Sequence, residues 1–178
     1  MARENKEFML LAVRRRGRLL AIASPALRRD KEVVFVAATR NVTALEFAAD
    51  ELLRDFEFMY LLVQKNAMAL AYMKLEFILA KKLVMLIIEE NPLALRYASK
   101  SLKADKEILL VAVQRAGKVL RYASRLLRAD KEVVLLAVRH DGDALRCASC
   151  ELRKDKDVVL AATQQRGSVC CDTQLSNS

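Results

Sequence analysis

Apolar positions come in blocks of about six along this chain. Acidic residues precede all but one of the blocks and polar, often basic, residues follow them. Val133-Val134-Leu135-Leu136-Ala137-Val138, opened by Asp130 and Glu132, is one example. Aligned on these blocks, the sequence has a period of 25. Four leading residues are followed by repeats starting at Asn5, Asp30, Asp55, Ala80, Asp105, Asp130 and Asp155, with no insertion or deletion. The four glycines, Gly17, Gly117, Gly142 and Gly167, fall in the same register.

Each offset predicts an element. Asp at the first position, or Asn5 in the first repeat, is N-cap chemistry for the unpaired amides of a helix start. Glu7, Glu32, Glu57, Glu107 and Glu132 place a negative charge in the first turn, where the helix dipole favours it. The apolar block then predicts a helix A of about eleven residues. The glycine slot after it reads as a C′ position in the left-handed conformation. A second segment, such as Ala94-Leu95-Arg96-Tyr97-Ala98, predicts a short helix B with Leu and Ala three apart. Ser24, Ser99, Ser124 and Ser149, each three residues before a Leu, predict a capped helical or 3₁₀ turn leading to the next Asp. Pro25 after Ser24 suits the first helical position.

A helix that is apolar on nearly all sides must be buried on several sides, and one repeat cannot do this alone. Stacked repeats can. Small residues recur where helices would approach closely, at Ala12, Ala37, Ala112, Ala137 and Ala162 and again at Ala23, Ala48, Ala98, Ala123 and Ala148. The expected fold is an all-α solenoid of seven repeats forming a single repeat domain over 1–178. The string Asp130-Lys131-Glu132-Val133-Val134-Leu135, with Ala137-Val138 and Gly142 and with Ala94-Leu95-Arg96-Tyr97-Ala98-Ser99, resembles the repeats known as domain of unknown function 4116. The resemblance covers residues 5 to about 171. It implies tandem helical repeats and carries over no catalytic residues.

Composition narrows the picture. With 54% apolar residues, four glycines and two prolines in 178, disorder and loop-rich β folds are poor fits. The longest uninterrupted apolar run, Ala67 to Met73, is far short of the ~18–20 residues of a bilayer span. The formal net charge is +9, concentrated in the first, fourth and fifth repeats. One histidine, His140, sits in a slot held elsewhere by Arg15, Arg40, Lys65, Glu90 and Arg115, which marks a surface position. No nucleophile–base pair, phosphate-binding glycine loop or metal-binding helix motif occurs. The chain reads as a non-enzyme without cofactor or metal, and its cysteine usage suggests an intracellular setting.

Departures from the repeat are where function should register. The third repeat departs most: Ala67 replaces Gly, Lys74 replaces Ser and Ala80 replaces the capping Asp. Phe56, Leu75, Ile78 and Leu79 occupy offsets that are mostly polar elsewhere, and form a candidate surface for a protein partner. Leu62, Met73 and Ile87 replace small Ala residues, so a rebuilt core is the competing reading. Between Ala67 and Glu90 no Gly, Pro, Ser, Asp or Asn interrupts the chain, and helix B, the linking turn and the next helix A are candidates for fusion.

Ladders of cations form the second candidate surface, for RNA or another polyanion: Arg96, Arg121 and Arg146 at one offset, Lys103, Arg128 and Arg153 at another. Tyr72, Tyr97 and Tyr122 run beside the first ladder. RNA-reading helical repeats vary at their reading offsets, whereas these residues are nearly uniform. A protein partner is therefore the first expectation and nucleic acid the second. Cys147, Cys150, Cys170 and Cys171 are poorly spaced for a zinc knuckle, and register reads Cys147 and Cys170 as core thiols. The end faces, with Phe8, Met9, Leu10 and Leu11 in the first repeat, offer contacts for an oligomer or a longer array.

Overall fold

In the computed structural model, residues 5–172 are described, apart from the side chains of Phe77 and of residues 166–172. The chain is an all-α repeat solenoid, with no strand among the described residues. It divides into two compact units, Met1–Leu83 and Val84–Ser178.

The first unit contains α1 (Lys6–Arg15), α2 (Lys31–Arg40), a short α3 (Asp50–Leu53), α4 (Phe56–Lys65) and the start of α5 (Phe77–Glu90). Six-residue 3₁₀ helices, Gly17–Ile22, Val42–Phe47 and Ala67–Tyr72, follow α1, α2 and α4. The second unit continues α5 and adds α6 (Lys106–Arg115), α7 (Lys131–His140) and α8 (Lys156–Asp172). Its corresponding 3₁₀ helices are Pro92–Tyr97, Gly117–Tyr122 and Gly142–Cys147.

Caps act as the spacing predicts. Asp130 Oδ1 accepts from the N–H groups of Glu132 and Val133 at 3.0 and 3.2 Å, and Asn5 Oδ1 accepts from Phe8 N at 3.0 Å. Ser24, Ser99, Ser124 and Ser149 accept from the Leu N–H three residues on, at 3.3–3.4 Å. Helix B is a 3₁₀ helix rather than an α-helix, and the Leu–Ala spacing of three is its signature. With three residues per turn, Gly117, Leu120 and Ala123 lie on one line, and all three are buried.

The glycine reading needs correcting. Among the described residues no glycine has a positive φ. The α-helices end instead on the residue before the glycine slot, which is extended; Ala116, for example, has φ −154° and returns its N–H to Ala112 O. Glycine follows because of crowding. A Cβ on Gly117 would lie 2.5 Å from the carbonyl oxygen of Ala137 and 2.8 Å from Asp141 Cβ, both in the next repeat. A Cβ on Gly17 would collide with Ala37 O in the same way. Gly167, also read as a helix end, lies within α8, which continues to Asp172.

Lysine joins four of the repeats to the one that follows, a role its spacing alone did not reveal. Lys6 pairs with Asp30 and Glu32, Lys31 with Asp55, Lys106 with Asp130 and Glu132, and Lys131 with Asp155 and Asp157, at 2.6–2.9 Å. Backbone bonds run alongside: Ser124 N donates to Lys103 O at 3.1 Å and Ser149 N to Arg128 O at 2.9 Å. The lysine hydrogen bond, helped by the backbone N–H groups, holds the carboxyls of Asp55, Asp130 and Asp155 below the ordinary 3.8. A depressed folded-state pKa stabilises above the unfolded value, and that contribution disappears as pH falls through the folded one. The thermal midpoint should therefore drop below about pH 4 through this linkage. Asp130→Asn keeps an N-cap acceptor and should show a shallower acid-dependent loss than the parent. Identical slopes in pH-dependent calorimetry would contradict the linkage.

The third-repeat junction is only partly fused. Helix B remains separate as Ala67–Tyr72, residues 73–76 are non-helical, and α5 begins at Phe77. The linking turn has merged into the following helix A, because neither a Ser nor an Asp cap halts it. In the first repeat, Phe8 and Leu11 are exposed as expected, whereas Met9 is fully buried and Leu10 half-buried. The side chains of Cys170 and Cys171 and the tail Gln174–Ser178 lie outside the described residues.

Candidate anion-binding groove

In four repeats the linking turn places a basic residue two positions before the capping Asp, at Arg28, Lys103, Arg128 and Arg153, and for the first two of these its task is internal. Arg28 donates from Nε to Ala23 O at 3.1 Å and from a terminal nitrogen to Ala21 O, seven residues back. Lys103 Nζ donates to Arg96 O at 2.6 Å, again seven residues back. These cations satisfy carbonyls left open at the end of the 3₁₀ helix. Burial pushes the Lys103 ammonium down from its ordinary value, consistent with this inward position.

Arg128 holds the same offset and does something else. Its Nε is buried without a hydrogen-bond partner, and its side chain lines two adjoining cavities of the second unit. The first, of about 440 Å³, is walled by Arg121, Arg128 and Arg146 together with Lys118 and Asp143. The second, of about 420 Å³, is walled by Arg125, Arg128, Arg146 and Arg153 with Ser149 and Cys150. Cys147 lines both, so it is a half-buried wall residue rather than a core thiol. Asp143 is the one carboxylate among the lining residues. Lys118 lies 3.9 Å from Asp141. No ion pair among the described residues engages Arg121, Arg125, Arg128, Arg146 or Arg153, in contrast to Arg18–Glu46 and Arg29–Glu51 in the first unit.

Three stretches of the chain, residues 5–53, 81–128 and 130–172, match the family described as Domain of unknown function (DUF4116). The chain belongs to the DUF4116 family. No curated protein and no solved structure matches it. The unmatched stretch 54–80 coincides with the third repeat, where the departures from the common pattern lie.

In this DUF4116 chain the six ladder cations separate into two groups. Arg121, Arg128, Arg146 and Arg153 line the cavities, whereas Arg96 and Lys103 do not. Arg96 and Arg121 lie over the rings of Tyr97 and Tyr122 at 5.5 Å, and both tyrosines are half-buried. Lys118 and Arg125 belong to the cavity walls although neither is part of a ladder. The positive fifth repeat was the only signal for them.

The four apolar candidates are unequally exposed. Ile78 and Leu79, on the first turn of α5, are 79% and 43% exposed. Leu75 is half-buried, as is Phe56, which stacks on Tyr60 at 6.5 Å with Lys82 Nζ 6.0 Å from its ring. Leu62 and Ile87 are buried, so these replacements of alanine rebuild the core. His140 is exposed. Among the described residues no group of three His, Cys, Asp or Glu side chains is placed to hold a metal ion. No helix among the described residues is long and apolar enough to cross a membrane.

Proposed function

We propose that this chain is a non-catalytic repeat scaffold that binds an acidic segment of a protein partner through the arginines of its second unit. The reading rests on one observation: Arg121 and Arg128 of the fifth repeat and Arg146 of the sixth converge on one cavity, with no ion pair to a carboxylate among the described residues. Unpaired guanidinium groups in a fixed array recognise carboxylates by bidentate hydrogen bonds. A protein partner is preferred to RNA because guanidinium groups already lie over Tyr97 and Tyr122. Base stacking on aromatic faces is the main sequence-tolerant grip on single strands.

Fluorescence anisotropy with a labelled oligoglutamate peptide tests the proposal. Binding should weaken steeply with salt, since solvated charges are screened over about 10 Å at 0.1 M. The double variant Arg121→Gln/Arg146→Gln should bind at least about tenfold more weakly, the loss of two charge-assisted hydrogen bonds. Both side chains are exposed, so its circular dichroism should match the parent. Equal binding by parent and variant would refute the proposal.

A further inference from the structure

The position of Arg128 between the two cavities gives the groove a more specific chemistry. Arg28 and Lys103, at the same offset, use their N–H groups on carbonyls of their own repeat. Arg128 leaves its Nε–H unpaired in a buried position. An unmade hydrogen bond at a buried charged group is costly, so this guanidinium is not committed to its own repeat as Arg28 and Lys103 are, and its side chain lines both cavities. Around it stand Arg146, shared by both cavities, Arg121 in one, and Arg125 and Arg153 in the other. Ser149 adds a hydroxyl whose oxygen already accepts from Leu152 N at 3.3 Å, so its proton is available to a ligand.

We propose that Arg128 and Arg146 form a phosphomonoester site, and that the acidic segment bound in this groove carries a phosphorylated side chain. This inference rests on the proposed function and specifies its ligand. A phosphomonoester carries about −1.5 to −2 charge on three acceptor oxygens, more than one carboxylate offers to converging guanidinium groups. A nucleic-acid backbone offers one charge per phosphate and depends on stacking, for which this face is poorly furnished.

Three peptides of one acidic sequence, bearing serine, glutamate or phosphoserine at one position, separate the alternatives in anisotropy titrations. The phosphoserine peptide should bind at least about tenfold more tightly than the serine peptide, as expected for new charge-assisted bonds to arginine. Arg128→Gln should erase that preference while retaining weak, salt-sensitive binding of all three peptides. Arg146→Gln serves as the second variant, and circular dichroism verifies the fold of both. Inorganic phosphate at millimolar concentration should compete with the phosphopeptide in the parent and not in Arg128→Gln.

Arginine-dependent binding with equal affinity for the three peptides would overturn the phosphate site and leave the acidic-segment reading intact. No binding of any peptide would overturn both. Tighter, Arg128-dependent binding of single-stranded RNA would overturn the inference in favour of a nucleic-acid ligand.

Discussion

Leu120→Ala should lower the stability of the second unit by about 2–5 kcal/mol, the range for emptying a well-packed leucine site. Leu120 is fully buried on the 3₁₀ helix Gly117–Tyr122. That helix packs on α6, α7 and the neighbouring 3₁₀ helix Gly142–Cys147. The same offset holds Leu20, Leu45, Leu70 and Leu95, all buried, and Leu145, which is half-buried. Partial collapse around the vacancy is hindered because three elements would have to move together. Urea unfolding followed by circular dichroism measures the loss, and a change below about 1 kcal/mol would place Leu120 outside the tightly packed class. Repeat proteins transmit such damage chiefly to their neighbours. Amide exchange should therefore accelerate in α6 and α7 while α1 and α2 keep their protection.

The second large effect is expected at a glycine. Where the backbone is compatible, replacing Gly by Ala usually stabilises by about 0.4–1 kcal/mol, because the unfolded chain loses freedom. No described glycine has a positive φ, so backbone conformation alone predicts a gain for Gly117→Ala. The added Cβ would meet Ala137 O at 2.5 Å and Asp141 Cβ at 2.8 Å. Neither is the flexible tip of a long side chain, and relief requires the next repeat to shift. Overpacking should outweigh the propensity gain and destabilise by about 1–3 kcal/mol. A stabilised Gly117→Ala protein in the same urea assay would show that the repeats separate readily and that the crowding does not set the spacing.

These two sites show how far the repeat could be read from residues alone. Asp130 and Ser124 were legible as caps because their chemistry is local, with donor and acceptor two or three residues apart. Leu120 was legible as core from its apolar register. Gly117 was found for the wrong reason: its constraint comes from a carbonyl twenty residues onward, which local rules cannot contain. The 3₁₀ form of helix B was present in the spacing of three, but an α-helix of similar length fits the same short pattern. Lys106 carried no local signal, because its partner Asp130 lies in the next repeat.

The candidate groove was the least legible part. Arg28, Lys103 and Arg128 are equivalent by register, yet the first two donate to their own repeat and Arg128 faces the cavities. Sequence equivalence does not encode that difference, because it depends on how side chains of two successive repeats meet. Lys118 and Arg125 were missed for the same reason. Conversely, Phe56 was grouped with Ile78 by its departure from the pattern, although stacking on Tyr60 removes part of it from solvent.

The claim that acidic ligands are held by the arginines of the second unit is tested most directly by an arginine-selective NMR titration. The Nε–Hε signals, assigned by single substitutions, are followed as oligoglutamate is added. Saturable shifts at Arg121, Arg128 and Arg146 are predicted, with smaller ones at Arg125 and Arg153. Shifts confined to Arg14, Arg15, Arg16 and Arg18 of the first repeat, or no saturable shift at all, would contradict it.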